Sequence, residues 1–440
     1  MSIEPNAAST GRPRTAADHS DHIDSESIVT TPSMDPFYLA PTGFERAEPG
    51  TVLRSREVTL ALFGVIRQKV SAWQLLYRTT SLDGAARVAV TTVVLPVGGR
   101  QRRQRALLSY QCAIDAVSDR CFPSYVLRAG ARAVGSVPQF EFMIILYALR
   151  RGWVLSLPDH EGMDGRWGAP VEPGYCTLDG VRAALSFEPL DLAATTPVAL
   201  WGYSGGGLAT SWAAEAAGDY APELDIVGAA LGSPVGDPGS AFSRLNGTIF
   251  AALPALVVEG LRRTYPELDR LVREHVAAAG LETLSSLHRK TTVHAVASMV
   301  MHDLERHLDI PIADLLATPE MVQIFQDIQP GKSAPTFPLL VVQAVHDPMI
   351  DVDDVDGQVR RYRAAGANVT YIRDRLSEHL SLHPIAAPVT LDWLSDRFAG
   401  KPTDESSTNT VWSLAGSLPG LRGLLGLAVS TGRAFAGRIG

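Results

Sequence analysis

The sequence predicts an α/β protein, with a mostly parallel central sheet flanked by helices and a helical cap inserted late in the chain. Three observations carry this. The apolar run Thr196 to Trp201 leads into Gly202-Tyr203-Ser204-Gly205-Gly206-Gly207 and then into alanine-rich Leu208 to Ala217, which reads as strand, tight turn and helix. Strand-length apolar runs alternate with helix-length segments from about Ala106 to Leu231 and again from Leu339 to Phe398. That alternation is the signature of parallel strands joined by crossover helices. Residues 233–335, between the two stretches, carry helical segments without convincing strands.

The bulk composition fits a large core. With 440 residues, 46% of them hydrophobic, the chain can bury a sizeable interior. A net charge of -8 argues against nucleic acid as a partner, because phosphate backbones are bound by basic fields. Cys112, Cys121 and Cys176 are too few and too scattered for a disulfide framework or a zinc site, and no metal or cofactor is indicated. The first residues lack the apolar core of a signal peptide, and no stretch is long and apolar enough to span a membrane. A cytoplasmic or non-classically exported protein is therefore expected.

In chain order, residues 1–35 are rich in Ser, Thr, Asp, Ala and Pro, hold no aromatic residue or leucine, and are expected to be disordered. Residues 36–232 begin the folded domain. Ala72 to Thr80 and Arg87 to Pro96 are β-rich and joined by Ser81-Leu82-Asp83-Gly84, a hairpin signal at the antiparallel edge of the sheet. Ala106 to Tyr110 and Trp153 to Leu157 read as buried strands, with helices over Phe140 to Arg150 and Asp179 to Leu185. Ile226 to Leu231 is the strand after the elbow helix.

In the insertion, Leu245, Ile249, Phe250, Leu253, Leu256, Val257 and Leu261 recur at helical spacing over Phe242 to Arg263, with Pro254 expected to kink or break the helix. This face suits ordinary packing and also a roof over an apolar channel. Residues 336–400 resume the sheet, with strands Leu339 to Val345 and Asn368 to Arg373 and helices Asp353 to Ala365 and Pro384 to Phe398. Residues 401–440 read as a polar linker and a glycine-rich apolar tail that is not obviously part of the folded body.

Gly202-Tyr203-Ser204-Gly205-Gly206 fits G-x-S-x-G, which between a strand and a helix forms the nucleophile elbow of α/β-hydrolases. A serine hydroxyl needs a histidine to take its proton, and the histidine needs a carboxylate to orient it. Asp347 follows closely on the strand Leu339 to Val345, where parallel sheets present functional residues. Asp351, Asp353, Asp354 and Asp356 share its loop and suit helix capping or solvation better. Histidine is offered twice, as His379 and His383; His379 lies nearer the last strand, and His383 precedes Pro384 as a helix-entry residue would. Ser204, Asp347 and His379 stand in the chain order of α/β-hydrolases.

Over roughly Asp35 to Gly400 the chain resembles the secretory lipase family, the lipase A type of α/β-hydrolase. The stretches that carry the resemblance are Ser109-Tyr110-Gln111 with Asp115, Cys121-Phe122-Pro123-Ser124-Tyr125, Pro158-Asp159-His160-Glu161-Gly162, Leu178-Asp179-Gly180-Val181-Arg182-Ala183, the elbow, and Arg397-Phe398-Ala399-Gly400. The resemblance implies a catalytic triad of Ser204, Asp347 and His379 and hydrolysis of carboxylic esters, acylglycerols included. It also implies an oxyanion hole built from the Asp115 carboxyl and the Gly205 N–H. Such a carboxyl donates a hydrogen bond only while protonated, so it needs an apolar site. An acyltransferase using the same residues, or a silent lipid-binding protein of this fold, are the alternatives.

The chain departs from the family in lacking a visible signal peptide and in carrying terminal extensions. In the C-terminal extension Leu414, Leu418, Leu421, Leu425 and Val429 recur at helical spacing beside Arg422 and Arg433 with no acid nearby, a pattern suited to contact with a lipid surface.

Overall fold

The structure is a computed structural model and describes residues 29–96 and 105–438. Among the described residues twelve strands are formed: β1 (Val52–Glu57), β2 (Ala61–Leu62), β3 (Ile66–Arg67), β4 (Ser71–Thr80), β5 (Ala86–Leu95), β6 (Leu107–Gln111), β7 (Val154–Pro158), β8 (Val198–Tyr203), β9 (Ile226–Gly232), β10 (Leu339–Ala344), β11 (Val369–Asp374) and β12 (Ser407–Val411). Ten of them make one sheet in the order β1-β4-β5-β7-β6-β8-β9-β10-β11-β12, and β2 and β3 form a separate hairpin. The strands from β7 to β12 run parallel, while β1, β4 and β5 pair antiparallel at one edge. The Asp83-Gly84 turn between β4 and β5 has Gly84 at φ +80°, a conformation glycine adopts without steric cost.

The strand order places the site. From β6 the chain crosses to β7 on one side, then returns to β8 on the other side of β6. The connections after β6 and β8 therefore diverge, and a crevice opens beyond the carboxyl ends of these two strands, where open α/β sheets bind their ligands. Asp115 follows β6, and Ser204 follows β8.

The helices are α1 (Pro123–Val126), α2 (Val137–Leu149), α3 (Glu172–Ser186), α4 (Gly205–Tyr220), α5 (Pro238–Leu245), α6 (Ala252–Leu261), α7 (Pro266–His275), α8 (Ala278–Ser286), α9 (Thr292–Ser298), α10 (Ile312–Leu316), α11 (Pro319–Ile328), α12 (Val352–Ala364), α13 (His379–Phe398) and α14 (Leu418–Phe435). The two faces of the sheet carry separate cores. One holds Tyr110, Trp201 and Leu340 with α2 and α13; the other holds Tyr77, Leu200 and Val341 with α3, α4 and α12. Helices α5 to α11 build a third core of their own from Leu256, Leu268, Leu284 and Ile324.

Four expectations are corrected. Residues 1–28, expected to be disordered, lie outside the described residues, but residues 29–35 are structured. Pro32 is buried, and the Asp35 carboxylate meets Arg56 at 2.7 Å and Arg128 at 3.6 Å. Ion pairs with distant arginines anchor a segment whose own composition predicts no core.

The kink expected at Pro254 falls earlier. Helix α5 ends at Leu245, and Pro254 lies in the first turn of α6, where a missing N–H leaves no helical bond unmade.

The closing helix starts at His379 and not at Pro384. A capping box fixes the start: the Glu378 carboxylate accepts from the Ser381 N–H at 2.7 Å, and the Glu378 N–H donates to Ser381 Oγ at 3.1 Å. Pro384 and Pro388 consequently sit inside the helix, each removing a bond that ordinarily costs about 3 kcal/mol. The buried stripe Leu382, Ala386, Leu391 and Leu394 holds the helix to the sheet despite them.

The C-terminal segment belongs to the body. Strand β12 extends the sheet beside β11, and α14 packs on α2 and α13. The glycines that weaken a helix in isolation serve contact here. A Cβ on Gly423 would overlap Pro388, and one on Gly426 would press on the Tyr147 ring.

Candidate active site

Ser204 sits at the turn from β8 to α4 with φ 55° and ψ -122°, a backbone conformation that costs a non-glycine residue energy and is concentrated at functional sites. The turn is possible because its neighbours are glycines. A Cβ on Gly206 would overlap the backbone carbonyl of Gln111 on β6. The Ser204 N–H donates to the Gly232 carbonyl at 2.8 Å and the Leu208 N–H donates to the Ser204 carbonyl at 3.0 Å, which pins the turn from both sides.

The structure brings Ser204, His379 and Asp347 together. His379 Nε2 lies 2.9 Å from Ser204 Oγ, and His379 Nδ1 lies 2.7 Å from Asp347 Oδ2. All three side chains are buried. Asp347 Oδ1 accepts from the N–H groups of Met349 and Ile350, each at 2.8 Å, and Gln343 Nε2 donates to Oδ2 at 3.2 Å. These bonds fix the orientation of the carboxylate toward His379. With Asp347 as acceptor, Nδ1 carries the ring proton and Nε2 faces Ser204 as the acceptor.

The competing residues have other work. Asp351 caps α12 and meets Arg244; Asp356 holds Tyr371 and Arg373; Asp354 meets Arg244. His383, a turn beyond His379, stacks flat on the Tyr203 ring at 4.2 Å, with its Nε2 3.1 Å from Tyr110 Oη. Burial, with His379 adding to it, pushes its pKa down to about 3, so it is neutral. Tyr203 in turn donates to the His379 carbonyl at 2.6 Å.

Asp115 lies beside Gly205, so close that a Cβ on Gly205 would overlap Asp115 Oδ1. The Gly205 N–H opens α4, where the first four amides have no helical acceptor and the helix dipole favours negative charge. Asp115 adopts φ 45°, is buried, and its Oδ1 has no hydrogen-bond partner. Burial pushes its pKa up to about 6, against the opposing pull of His379 and a hydrogen bond from Trp167. An aspartic side chain and a helix N-terminal residue thus lie against one another beside the serine, at the wall of one pocket.

The loop bearing Asp115 is held by a motif histidine, His160, and by Glu141 of α2. His160 Nε2 lies 2.8 Å from the Cys112 carbonyl, and the Ala113 N–H donates to Glu141 at 2.9 Å. Burial pushes Glu141 up to about 8, and Asp159, which accepts from the Ser124 N–H at 2.9 Å, up to about 7.

An apolar pocket opens at Ser204 and Asp115, walled by Trp167, Leu208, Phe242, Leu253, Val257 and Met349. Of the apolar face expected to roof a channel, Leu245, Leu253 and Val257 line this pocket, Leu256 and Leu261 are buried in the cap core, and Ile249 is exposed. Trp167 and Glu141 are site residues that sequence reasoning missed. Trp167 stands in the loop Gly165-Arg166-Trp167-Gly168, where a tryptophan between glycines was the one available signal.

With this geometry in place, four similarities stand out. The secretory lipase family model matches residues 127–406. A protein of Mycobacterium tuberculosis named "probable inactive lipase" is 54% identical over 407 residues, covering 92% of this chain and 91% of that one. Lipase A of Arthroderma benhamiae is 33% identical, covering 87% of this chain and 83% of its own length. Among solved structures, Candida antarctica lipase A superposes with a TM-score of 0.83 at 27% identity, covering 92% of this chain and 95% of that one.

Proposed function

The chain belongs to the secretory lipase family of α/β-hydrolases, and on that premise we propose that it is a serine-dependent carboxylic ester hydrolase acting on acylglycerols or other apolar esters. One observation carries the reading: the hydrogen-bonded chain from Ser204 Oγ to His379 to Asp347, with steps of 2.9 Å and 2.7 Å.

The chemistry is acyl transfer in two steps. Ser204 Oγ attacks the ester carbonyl while His379 Nε2 takes its proton, and Asp347 stabilises the imidazolium. The carbonyl oxygen becomes an oxyanion held by the Asp115 carboxyl and the Gly205 N–H. His379 then protonates the departing alcohol, and a water activated by the same nitrogen releases the acid from Ser204. An alcohol arriving in place of water would make the protein an acyltransferase. The pocket walls favour an apolar acyl chain, and no residue set in this scheme calls for a metal or cofactor.

A second reading is favoured by the name of the M. tuberculosis relative, under which the fold binds lipid without turning it over. Covalent labelling separates the two. Wild-type protein should react with a fluorophosphonate and Ser204→Ala should not, with both chains folded by circular dichroism. An unlabelled, folded wild type would favour the silent reading. The family is described as secretory, which does not fit the expected cytoplasmic location, and no described helix is long and apolar enough to cross a membrane.

A further inference from the structure

Helix α14 is apolar on two opposite faces. At 100° per residue, Gly420, Leu427, Ser430 and Ala434 fall on one side, and all four are buried. Leu418, Leu421, Leu425 and Val429 fall on the other, 70%, 51%, 68% and 53% exposed. The buried side accounts for the packing on α2 and α13. The aliphatic stripe stays exposed.

Further exposed apolar residues lie on the segments that flank the helix and beside its last turn. Half-exposed Phe435 meets Phe63 at 6.4 Å, and Phe63 meets half-exposed Phe140 at 5.8 Å. Val65, between β2 and β3, is 80% exposed. Before the helix, exposed Trp412 and Leu376 are joined by a 3.0 Å bond from the Leu376 N–H to the Trp412 carbonyl, with the Arg375 guanidinium over the Trp412 ring.

Charge selects the occupant. The chain as a whole carries -8, yet α14 and the residues that follow it hold Arg422, Arg433 and Arg438 and no acid. Arg422 borders the stripe. Two copies meeting through this face about a two-fold axis would bring like-charged arginines together. An anionic surface with an apolar interior complements both features.

We infer that the outer face of α14, with Trp412 and Leu376 at one end and Phe435 and Val65 at the other, docks on an anionic phospholipid surface. Leu418, Leu421, Leu425 and Val429 enter the acyl boundary, and Arg422 at its border meets the headgroup phosphates. None of this depends on the hydrolase reading, because the test reads binding.

The full-length chain is sedimented with vesicles of phosphatidylglycerol and phosphatidylcholine, and with phosphatidylcholine alone. Wild type should partition to the mixed vesicles and, at high salt, release from them. The double variant Leu421→Gln with Leu425→Gln should lose about tenfold or more in partition, and Arg422→Gln about fivefold, the latter only at low salt. These side chains are exposed, so thermal melting should match wild type and guard against misfolding. Equal partition of wild type and the double variant overturns the proposal. So does absence of wild-type binding. A wild-type dimer in sedimentation velocity that the double variant abolishes would overturn it too, assigning the face to a second copy.

Discussion

The carboxyl of Asp115 occupies the space that a side chain at residue 205 would need. In the proposed oxyanion hole this closeness would let the carboxyl and the backbone amide serve one oxygen atom, which predicts that neither residue tolerates substitution. Asp115→Leu should lower kcat by about two to three orders of magnitude, the range for losing one oxyanion donor, with little change in KM. Gly205→Ala should be at least as damaging, because its methyl displaces the Asp115 carboxyl. Steady-state kinetics on a soluble ester decide the point. A loss confined to KM would assign Asp115 to substrate positioning instead.

The same carboxyl sets a pH dependence. Only the protonated form donates to an oxyanion, and burial raises its pKa from 3.8 to about 6. The donor is therefore in place below about pH 6 and is withdrawn as pH rises through that value, so kcat/KM should carry an alkaline limb from Asp115. Asp115→Asn donates an amide N–H at every pH and should lack this limb. Stability moves in the same direction. The folded state holds the proton more tightly than the unfolded chain between pH 3.8 and about 6, so this group's contribution falls across that window and is flat above it. Superimposable pH profiles for wild type and Asp115→Asn would remove the acid from the oxyanion role.

His379 and His383 separate function from scaffold. His379→Ala should cost about four to six orders of magnitude in kcat, as for a triad base. His383→Phe keeps a flat ring on Tyr203 and should leave kcat within about tenfold. Loss of the 3.1 Å contact with Tyr110 should cost stability by about 1 kcal/mol, read as a lower midpoint in urea. Near-complete inactivation of a folded His383→Phe protein would contradict this division.

The elbow and its partners were legible because their signals are local. Ser204 stands among glycines that the turn requires, and Asp347 follows an unmistakable buried strand. The start of α13 was hidden because Pro384 is itself a strong helix-start signal, while the Glu378–Ser381 box works through side-chain geometry. The C-terminal segment misled for a related reason. Its glycines lower helix propensity, and only the tertiary structure shows Gly423 and Gly426 fitting against Pro388 and Tyr147. Trp167 and Glu141 reach the site by folding from distant loops and helices, so no spacing rule announces them. Residues 29–35 are ordered by Arg56 and Arg128, partners that their own composition does not reveal.

The pocket predicts an acyl-chain preference. Phe242, Leu253 and Val257 from the cap and Met349 from the loop after β10 offer an acyl chain apolar surface along its length. Each methylene buried there is worth about 0.8 kcal/mol, or close to fourfold in kcat/KM. For p-nitrophenyl esters, kcat/KM should climb from acetyl toward octanoyl until the pocket is filled. Val257→Trp fills part of that space and should flatten the series early, while leaving acetyl ester turnover near wild type, because the serine, histidine and oxyanion groups are untouched. Equal kcat/KM for acetyl and octanoyl esters in the wild type would mean that the acyl chain does not enter this pocket. A Val257→Trp protein with an unchanged series would move the chain to another wall of the site.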